Sequence, residues 1–288
     1  MPEIDFPTRG RYDHFVADEA AAHSGARYFE VHDSDLEHAP APHADDDLVG
    51  YIHSAQLGTS VDGPGLRLVV FLTGCLLRCQ YCHNPDTWHK RNGKPFTLGQ
   101  AKQVLDRHAE VLRLSRGGLT LSGGEPMVQT AFMTQLFRHC KAIGVHTCLD
   151  TSGRLGDRLG DEQLMDIDLN LLDIKSGDPE VYRRVTGHPL QPTLDYAQRL
   201  SRLGRPMWIR YVLVPGLTDD HDNVERVADF TAGLGHVERV EILRFHQLGR
   251  SKWARLRLEY ALASTAPPSA ELTERVRDQF RRRGLTVF

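Results

Sequence analysis

LRLVVFLTGCLLRCQYCHN, residues 66–84, is the stretch on which the fold turns. Its first half is an almost continuous apolar run that stops at Gly74. That pattern belongs to a strand buried on both faces of a parallel sheet. Three cysteines follow at once, Cys75, Cys79 and Cys82, spaced C-x3-C-x2-C. Polar residues in this position stand at the C-terminal end of the strand, where α/β folds bind ligands.

Working outward, the same alternation repeats. GLTLS (118–122), VHTCLD (145–150), LNLLDI (169–174), MWIRYVLV (207–214) and VERVEIL (237–243) are further apolar runs of strand length. Helical patterns separate them, over 97–114 with Thr97 as the cap, then 130–143, 161–166, 179–203 and 219–234, with a last one over 270–283. LVGYIHSAQ, from Leu48, reads as a short strand entering the domain, and the chain between 243 and 270 reads as irregular. About six strand–helix units argue for a parallel sheet covered by helices. Six are too few for a closed eight-stranded barrel, so an open partial barrel or a doubly wound sheet remains. Either one should bring Ser122, Gly123, Gly124, Glu125, Asp150, Thr151, Asp173, Lys175, Arg210 and His246 to the same mouth as the cysteines.

The 288 residues suit one α/β barrel. A hydrophobic fraction of 40 % with 25 % charged residues is ordinary for a globular chain and excludes collagen, coiled coil and wholesale disorder. No apolar run reaches the roughly 18 residues of a membrane helix, and the N-terminus has no basic-then-apolar signal, so a cytoplasmic protein is expected. Residues 1–48 hold twelve Asp/Glu against three Arg, a balance of −9; with −3 overall, 49–288 carry +6. An acidic extension, disordered or loosely packed, is expected over 1–48, ahead of one domain over 49–288. The domain has no dense basic stripe of the kind that binds nucleic acid.

Five cysteines, three of them within eight residues, do not make a disulfide framework. A metal centre fits better. A four-iron cluster takes one thiolate per iron, so three cysteines leave one iron open for chemistry. The alternative is a structural zinc on the three cysteines and His83, although adjacent Cys82 and His83 close awkwardly around one ion. Cys140 and Cys148 lie outside the motif and read as buried thiols. Arg210, inside an apolar strand, needs acceptors. Asp173 and Lys175, two apart, share a face and by themselves suit a structural ion pair.

C-x3-C-x2-C with an aromatic, Tyr81, before the last cysteine is the cluster motif of radical S-adenosylmethionine enzymes. VDGPGLRLVVFLTGCLLRCQYCHNPDTW (61–88) resembles the opening of the glycyl-radical-enzyme activases, most closely those of the pyruvate formate-lyase type. SGGEP (122–126), HTCLDTSG (146–153), LLDIK (171–175), WIRYVLVPG (208–216) and FHQLG (245–249) are similar to that family in the same order. The likeness runs from about Leu48 to the C-terminus, and no additional Cys-rich insert is present.

The resemblance implies a partial (β/α)6 barrel of parallel strands with outer helices. It implies a [4Fe-4S] cluster on Cys75, Cys79 and Cys82, with S-adenosylmethionine chelating the open iron. One electron then breaks a sulfonium C–S bond and yields methionine and a 5′-deoxyadenosyl radical. Tyr81, Cys82, His83, Gly123, Gly124, Glu125, Asp173, Ile174, Lys175 and His246 are implied as cofactor contacts, and Lys175 and Arg210 as catalytic beside the cysteines. Asp150, Thr151, the Leu171 carbonyl and Asp173 match a monovalent-cation site, and Asp62 and Arg67 a region that holds the protein substrate. The implied substrate is a backbone glycine of pyruvate formate-lyase, which places the chain in anaerobic glucose metabolism. Flavodoxin or a similar reductant would supply the electron, and a monomer is expected. The competing functions are activation of another glycyl-radical enzyme, radical chemistry on a small molecule, and a zinc-stabilised binding protein without catalysis.

Overall fold

The computed structural model describes residues 44–59 and 61–288. Most of the acidic extension expected over 1–48 lies outside the described residues. Ala44–Asp47 form a single helical turn, and the Lys102 Nζ donates to Asp46 Oδ1 at 2.7 Å. In chain order the strands are β1 (Val49–Thr59), β2 (Leu66–Leu72), β3 (Lys94–Thr97), β4 (Gly118–Gly123), β5 (His146–Thr151), β6 (Leu169–Asp173), β7 (Met207–Leu213) and β8 (Val237–Arg244). The helices are α1 (Leu98–Leu114), α2 (Thr130–Ala142), α3 (Asp161–Met165), α4 (Pro179–Thr186), α5 (Gln191–Arg202), α6 (His221–Ala232), α7 (Arg250–Arg255) and α8 (Ala270–Arg281).

All eight strands join one open sheet in the order β3-β1-β2-β4-β5-β6-β7-β8. β2 and β4 to β8 are the six expected parallel strands, paired in sequence order. They form a partial barrel. β1 is longer than expected and runs antiparallel to β2, and β3 adds antiparallel to β1. β3 escapes notice in the sequence because it is only KPFT, and its proline suits an edge. The other edge, β8, is covered by the C-terminus: Val240 N–H donates to the Thr286 carbonyl at 2.8 Å and Phe288 N–H to Val240 at 2.9 Å.

Strand alternation divides the side chains between two environments. Leu68, Val70 and Leu72 of β2 and Leu119 and Leu121 of β4 face the helices and join one large core. On the barrel side Cys148, Leu169, Leu171 and Trp208 form a separate small cluster that floors the interior. Helix starts follow local chemistry. Thr97 and Gln100 make a reciprocal capping box on α1, Asp178 caps α4, and Gly187 ends α4 in the left-handed region at φ 79°.

Candidate active site at the strand ends

The C-terminal ends of the parallel strands open into a cavity of about 430 Å³, a size that suits a cofactor. Cys75, Cys79, Tyr81, Cys82 and His83 line it from the loop after β2, and Gly123, Gly124 and Glu125 from the turn after β4. Asp150 and Thr151 come from β5, Asp173 and Lys175 from the end of β6, Arg210 from β7, His246 from beyond β8, and Asp62 from the β1–β2 connection. Three singled-out residues stand elsewhere. Ile174 is fully buried in the helix-side core, its N–H on the Arg210 carbonyl at 3.1 Å. Leu171 belongs to the barrel floor. Arg67 is 1 % exposed inside the barrel.

The cysteine loop is pinned from both sides. Cys75 N–H donates to the Trp88 carbonyl at 3.0 Å, Arg78 N–H to Thr186 at 2.9 Å and Gln80 N–H to Val185 at 3.0 Å. Behind it, the Trp253 indole N–H donates to the Cys82 carbonyl at 2.8 Å, and Trp253 meets Trp88 edge-on at 5.2 Å. This support comes from α7, in the stretch the sequence leaves irregular. Gly249, just before α7, lies so close that a Cβ there would stand 2.9 Å from His83 Cα and 3.1 Å from the Cys82 carbonyl oxygen.

The residues present fit an iron–sulfur cluster. Burial pushes the Cys75 and Cys79 thiols up, and Cys82 to about 12, so they become thiolates when a metal centre compensates their charge. Among the described residues no three Cys, His, Asp or Glu converge as ligands of one ion. All three thiols line the same cavity, which suits one thiolate per iron. His83 does not close a zinc site: it stacks on His246, ring centroids 4.1 Å apart and planes inclined by 23°. Burial and then His246 hold its pKa down at about 4, so it is neutral at pH 7. The Tyr81 hydroxyl is buried without a hydrogen-bond partner among the described residues.

The charged groups fall into three sets. Glu125 is 2 % exposed. It accepts from Thr151 Oγ1 at 2.7 Å, Ser152 Oγ at 2.6 Å and Ser152 N–H at 3.0 Å. Its carboxylate therefore ties the turn after β4 to the end of β5, while burial pushes its pKa up. Lys175 Nζ donates to Asp173 Oδ2 at 2.7 Å and lies over the Tyr81 ring at 5.7 Å. Burial works most strongly against its charge, but Asp173 together with Tyr81 and Cys79 more than offsets that penalty and raises its pKa. Arg210 donates to Glu241 Oε2 at 2.9 Å, to Asp150 Oδ1 at 3.2 Å and to the Val61 carbonyl, with Asp62 Oδ1 at 3.7 Å. These carboxylates raise its pKa against the burial penalty. Asp150 also accepts from Ser122 Oγ at 2.6 Å, and burial raises it to about 6.

Glu241 and Trp253 belong to this site and were not singled out from the sequence; Ser152 and Gly249 stood within HTCLDTSG and FHQLG without a role of their own. A signal for Glu241 was available: in VERVEIL the strand period places it on the inward face, as it placed Arg210. Trp253 had none, because its role depends on a distant loop.

A family model described as a 4Fe-4S single cluster domain matches residues 61–178. The pyruvate formate-lyase 1-activating enzyme of Escherichia coli K12 is 42 % identical over 232 residues, 80 % of this chain and 94 % of that protein. The pyruvate formate-lyase-activating enzyme of Staphylococcus epidermidis is 44 % identical over 231 residues, 78 % and 92 % of the two chains. A radical SAM methyltransferase from Sphaerobacter thermophilus shares the fold, at TM-score 0.57 and 18 % identity over 86 % of this chain and 74 % of that one. At two-fifths identity to the Escherichia coli and Staphylococcus epidermidis proteins across nearly their whole length, the chain belongs to the pyruvate formate-lyase-activating enzyme family.

Proposed function

We propose that this chain installs the glycyl radical of pyruvate formate-lyase. The observation that carries the proposal is the meeting of the three-cysteine loop, the Gly123-Gly124 turn and the Asp173–Lys175 pair on one cavity. When bound, the cluster and S-adenosylmethionine supply a one-electron C–S cleavage whose 5′-deoxyadenosyl radical takes a Cα hydrogen from glycine. Cys75, Cys79 and Cys82 would hold the cluster and leave an open position for the cofactor. Tyr81, His83 and His246 form the aromatic wall for the adenine end. Gly123 and Gly124 offer backbone to the methionine end, and Glu125 holds that turn in place. Ile174 contributes through its backbone only. Lys175 and Asp173 fix charge beside the cysteines. Arg210, with Asp62 and Asp150, faces the mouth where a glycine loop enters; Arg67 supports that wall from below. The partner must open locally to present such a loop.

Three further parts of the proposal rest on the resemblance. A monovalent cation binds at Asp150, Thr151, the Leu171 carbonyl and Asp173, hard oxygen donors of the right type. A flavodoxin-like protein supplies the electron to a monomeric enzyme in the cytoplasm; no helix among the described residues is long and apolar enough to cross a membrane. Residues 1–48 are dispensable for cluster binding and cofactor cleavage, so their removal leaves the iron content unchanged.

The test is anaerobic. The protein is reconstituted with iron and sulfide, reduced with dithionite, and given S-adenosylmethionine and pyruvate formate-lyase. The expected result is 5′-deoxyadenosine plus a glycyl-radical EPR doublet, both abolished by Cys79→Ala. A loaded, reduced protein that forms 5′-deoxyadenosine but no doublet would exclude this partner and leave another glycyl-radical enzyme. No 5′-deoxyadenosine at all would sink the enzymatic proposal.

A further inference from the structure

The cysteine loop has two faces, and the cavity uses one. Cys75, Leu77, Cys79 and Tyr81 line the cavity. Between them Leu76 and Arg78 point outward and are exposed, Leu76 by 43 %. The outward face lies against the end of α4. Arg78 N–H donates to Thr186, Gln80 Nε2 to the Arg184 carbonyl at 2.8 Å, and His188 Nε2 to the Leu76 carbonyl at 3.0 Å. α4 buries Tyr182 and Val185 and leaves Arg183 and Arg184 exposed. An exposed leucine is thus set among three arginines.

Among the described residues, no carboxylate lies within ion-pairing distance of Arg78, Arg183 or Arg184. The Arg78 guanidinium donates to the Cys75 and Leu77 carbonyls at 2.7 and 2.8 Å and lies over the Trp88 ring at 4.9 Å. Glu180, four residues before Arg184, makes no ion pair with it. The other acidic residue of this segment, Asp178 at the N-terminal cap of α4, is taken by Arg226.

We propose, building on the function above, that Leu76, Arg78, Arg183 and Arg184 form the docking surface for an acidic one-electron carrier protein that reduces the cluster. Unpaired cations on an open surface complement a negatively charged partner and speed its encounter. The patch covers the outer side of the segment between Cys75 and Cys79. Electron transfer weakens steeply with distance, and Leu76 and Arg78 stand on the chain between these two cysteines. The carrier is oxidised by one electron, the cluster is reduced by one, and no bond is made or broken. The patch does not line the cavity, so the mouth stays free for the glycine-bearing substrate and both partners bind at once.

The test uses Arg183→Glu/Arg184→Glu in the full chain, with Arg202→Glu on α5 as the charge control and flavodoxin as the probe. Titration calorimetry of unreduced protein with flavodoxin reads binding without any turnover. About tenfold weaker binding and a flatter salt dependence are expected for the double variant, with Arg202→Glu unchanged. Cluster reduction by reduced flavodoxin should slow to a similar degree. Dithionite-driven 5′-deoxyadenosine formation should not change; its loss in the parent protein would count against the proposed function instead. Unchanged flavodoxin affinity in the double variant would overturn the docking surface. So would an equal loss in Arg202→Glu, or a defect with dithionite and pyruvate formate-lyase but none with flavodoxin, which would assign the patch to the protein substrate.

Discussion

Two arginines lie buried inside the same barrel and are held in opposite ways. Arg67, 1 % exposed, meets no carboxylate within hydrogen-bonding distance among the described residues. Its guanidinium donates to Thr120 Oγ1 at 2.9 Å, to the Leu119 carbonyl and to His146 Nδ1 at 3.1 Å, and burial lowers its pKa. Arg210, 7 % exposed, is surrounded by Glu241, Asp150 and Asp62. One sits where the strands begin, among neutral acceptors that tie β2 to β4 and β5. The other sits where the strands end, in a surplus of negative charge. A buried arginine that only stitches strands together can be content with carbonyls. Gathering carboxylates at a cavity mouth costs desolvation, and such an arrangement marks a place where charge is used.

The largest effect should come from Arg210→Lys, which keeps the charge and loses the fork that reaches several acceptors. Glycyl-radical formation should fall about a hundredfold, while the urea midpoint moves little. A fully active variant would remove Arg210 from the machinery and leave the two arginines alike. Arg67→Met should do the reverse. Leaving buried acceptors unpaired costs about 3 kcal/mol of stability, yet 5′-deoxyadenosine formation per folded molecule should stay within about twofold. If activity fell with stability intact, the floor of the barrel would be functional too.

Gly249→Ala tests whether the far support of the loop matters. The new Cβ would press on His83 Cα and the Cys82 carbonyl. Iron content after reconstitution should fall several-fold, with a roughly 1–3 kcal/mol loss in stability from overpacking. Unchanged iron content would show that the loop positions its cysteines without α7.

The smallest expected effect is in pH dependence, and the two ends of the barrel should differ in sign. Burial, then Arg67, lowers His146 to about 4. Between there and its ordinary value near 6.5 the unfolded chain holds the additional proton, so stability is lost as pH falls. Asp150, raised by burial to about 6, holds a proton in the folded state that the unfolded chain releases from near pH 3.9 upward. Its contribution is lost as pH rises through about 4–6. In urea midpoints measured from pH 4 to 7, His146→Gln should therefore reduce the loss of stability toward acid, and Asp150→Asn should increase it. For partly exposed His146 the change should be about 1 kcal/mol, since solvent screens it; for Asp150 the opposite sign is the expected outcome. Parallel shifts in both variants would erase the contrast.

Much of this was legible in the chain. The apolar runs of β2 and β4 to β8 carry their own length and flanks, so six parallel strands and the helices between them could be placed within a few residues. Cys75, Cys79 and Cys82 sit within eight residues and need no tertiary information to be read as a metal centre. Because active residues of such folds stand at strand ends, Glu125, Asp150, Asp173, Lys175, Arg210 and His246 followed from position alone, and all line the cavity. β3 and α7 were not legible. Each is short, and neither has a period that local propensity could carry.

The sequence by itself determined which strands exist, which end of the sheet carries chemistry, and which family motifs lie there, because strand period and residue spacing are local properties. Only the tertiary structure decided what each polar residue is spent on. It turned Glu125 inward onto Thr151 and Ser152, separated Arg67 from Arg210, stacked His83 on His246 and brought Trp253 beneath Cys82. Those pairings join residues up to 171 positions apart. Hydrogen bonds and burial act between neighbours in space, and spatial proximity over such separations is set by the packing of the whole sheet.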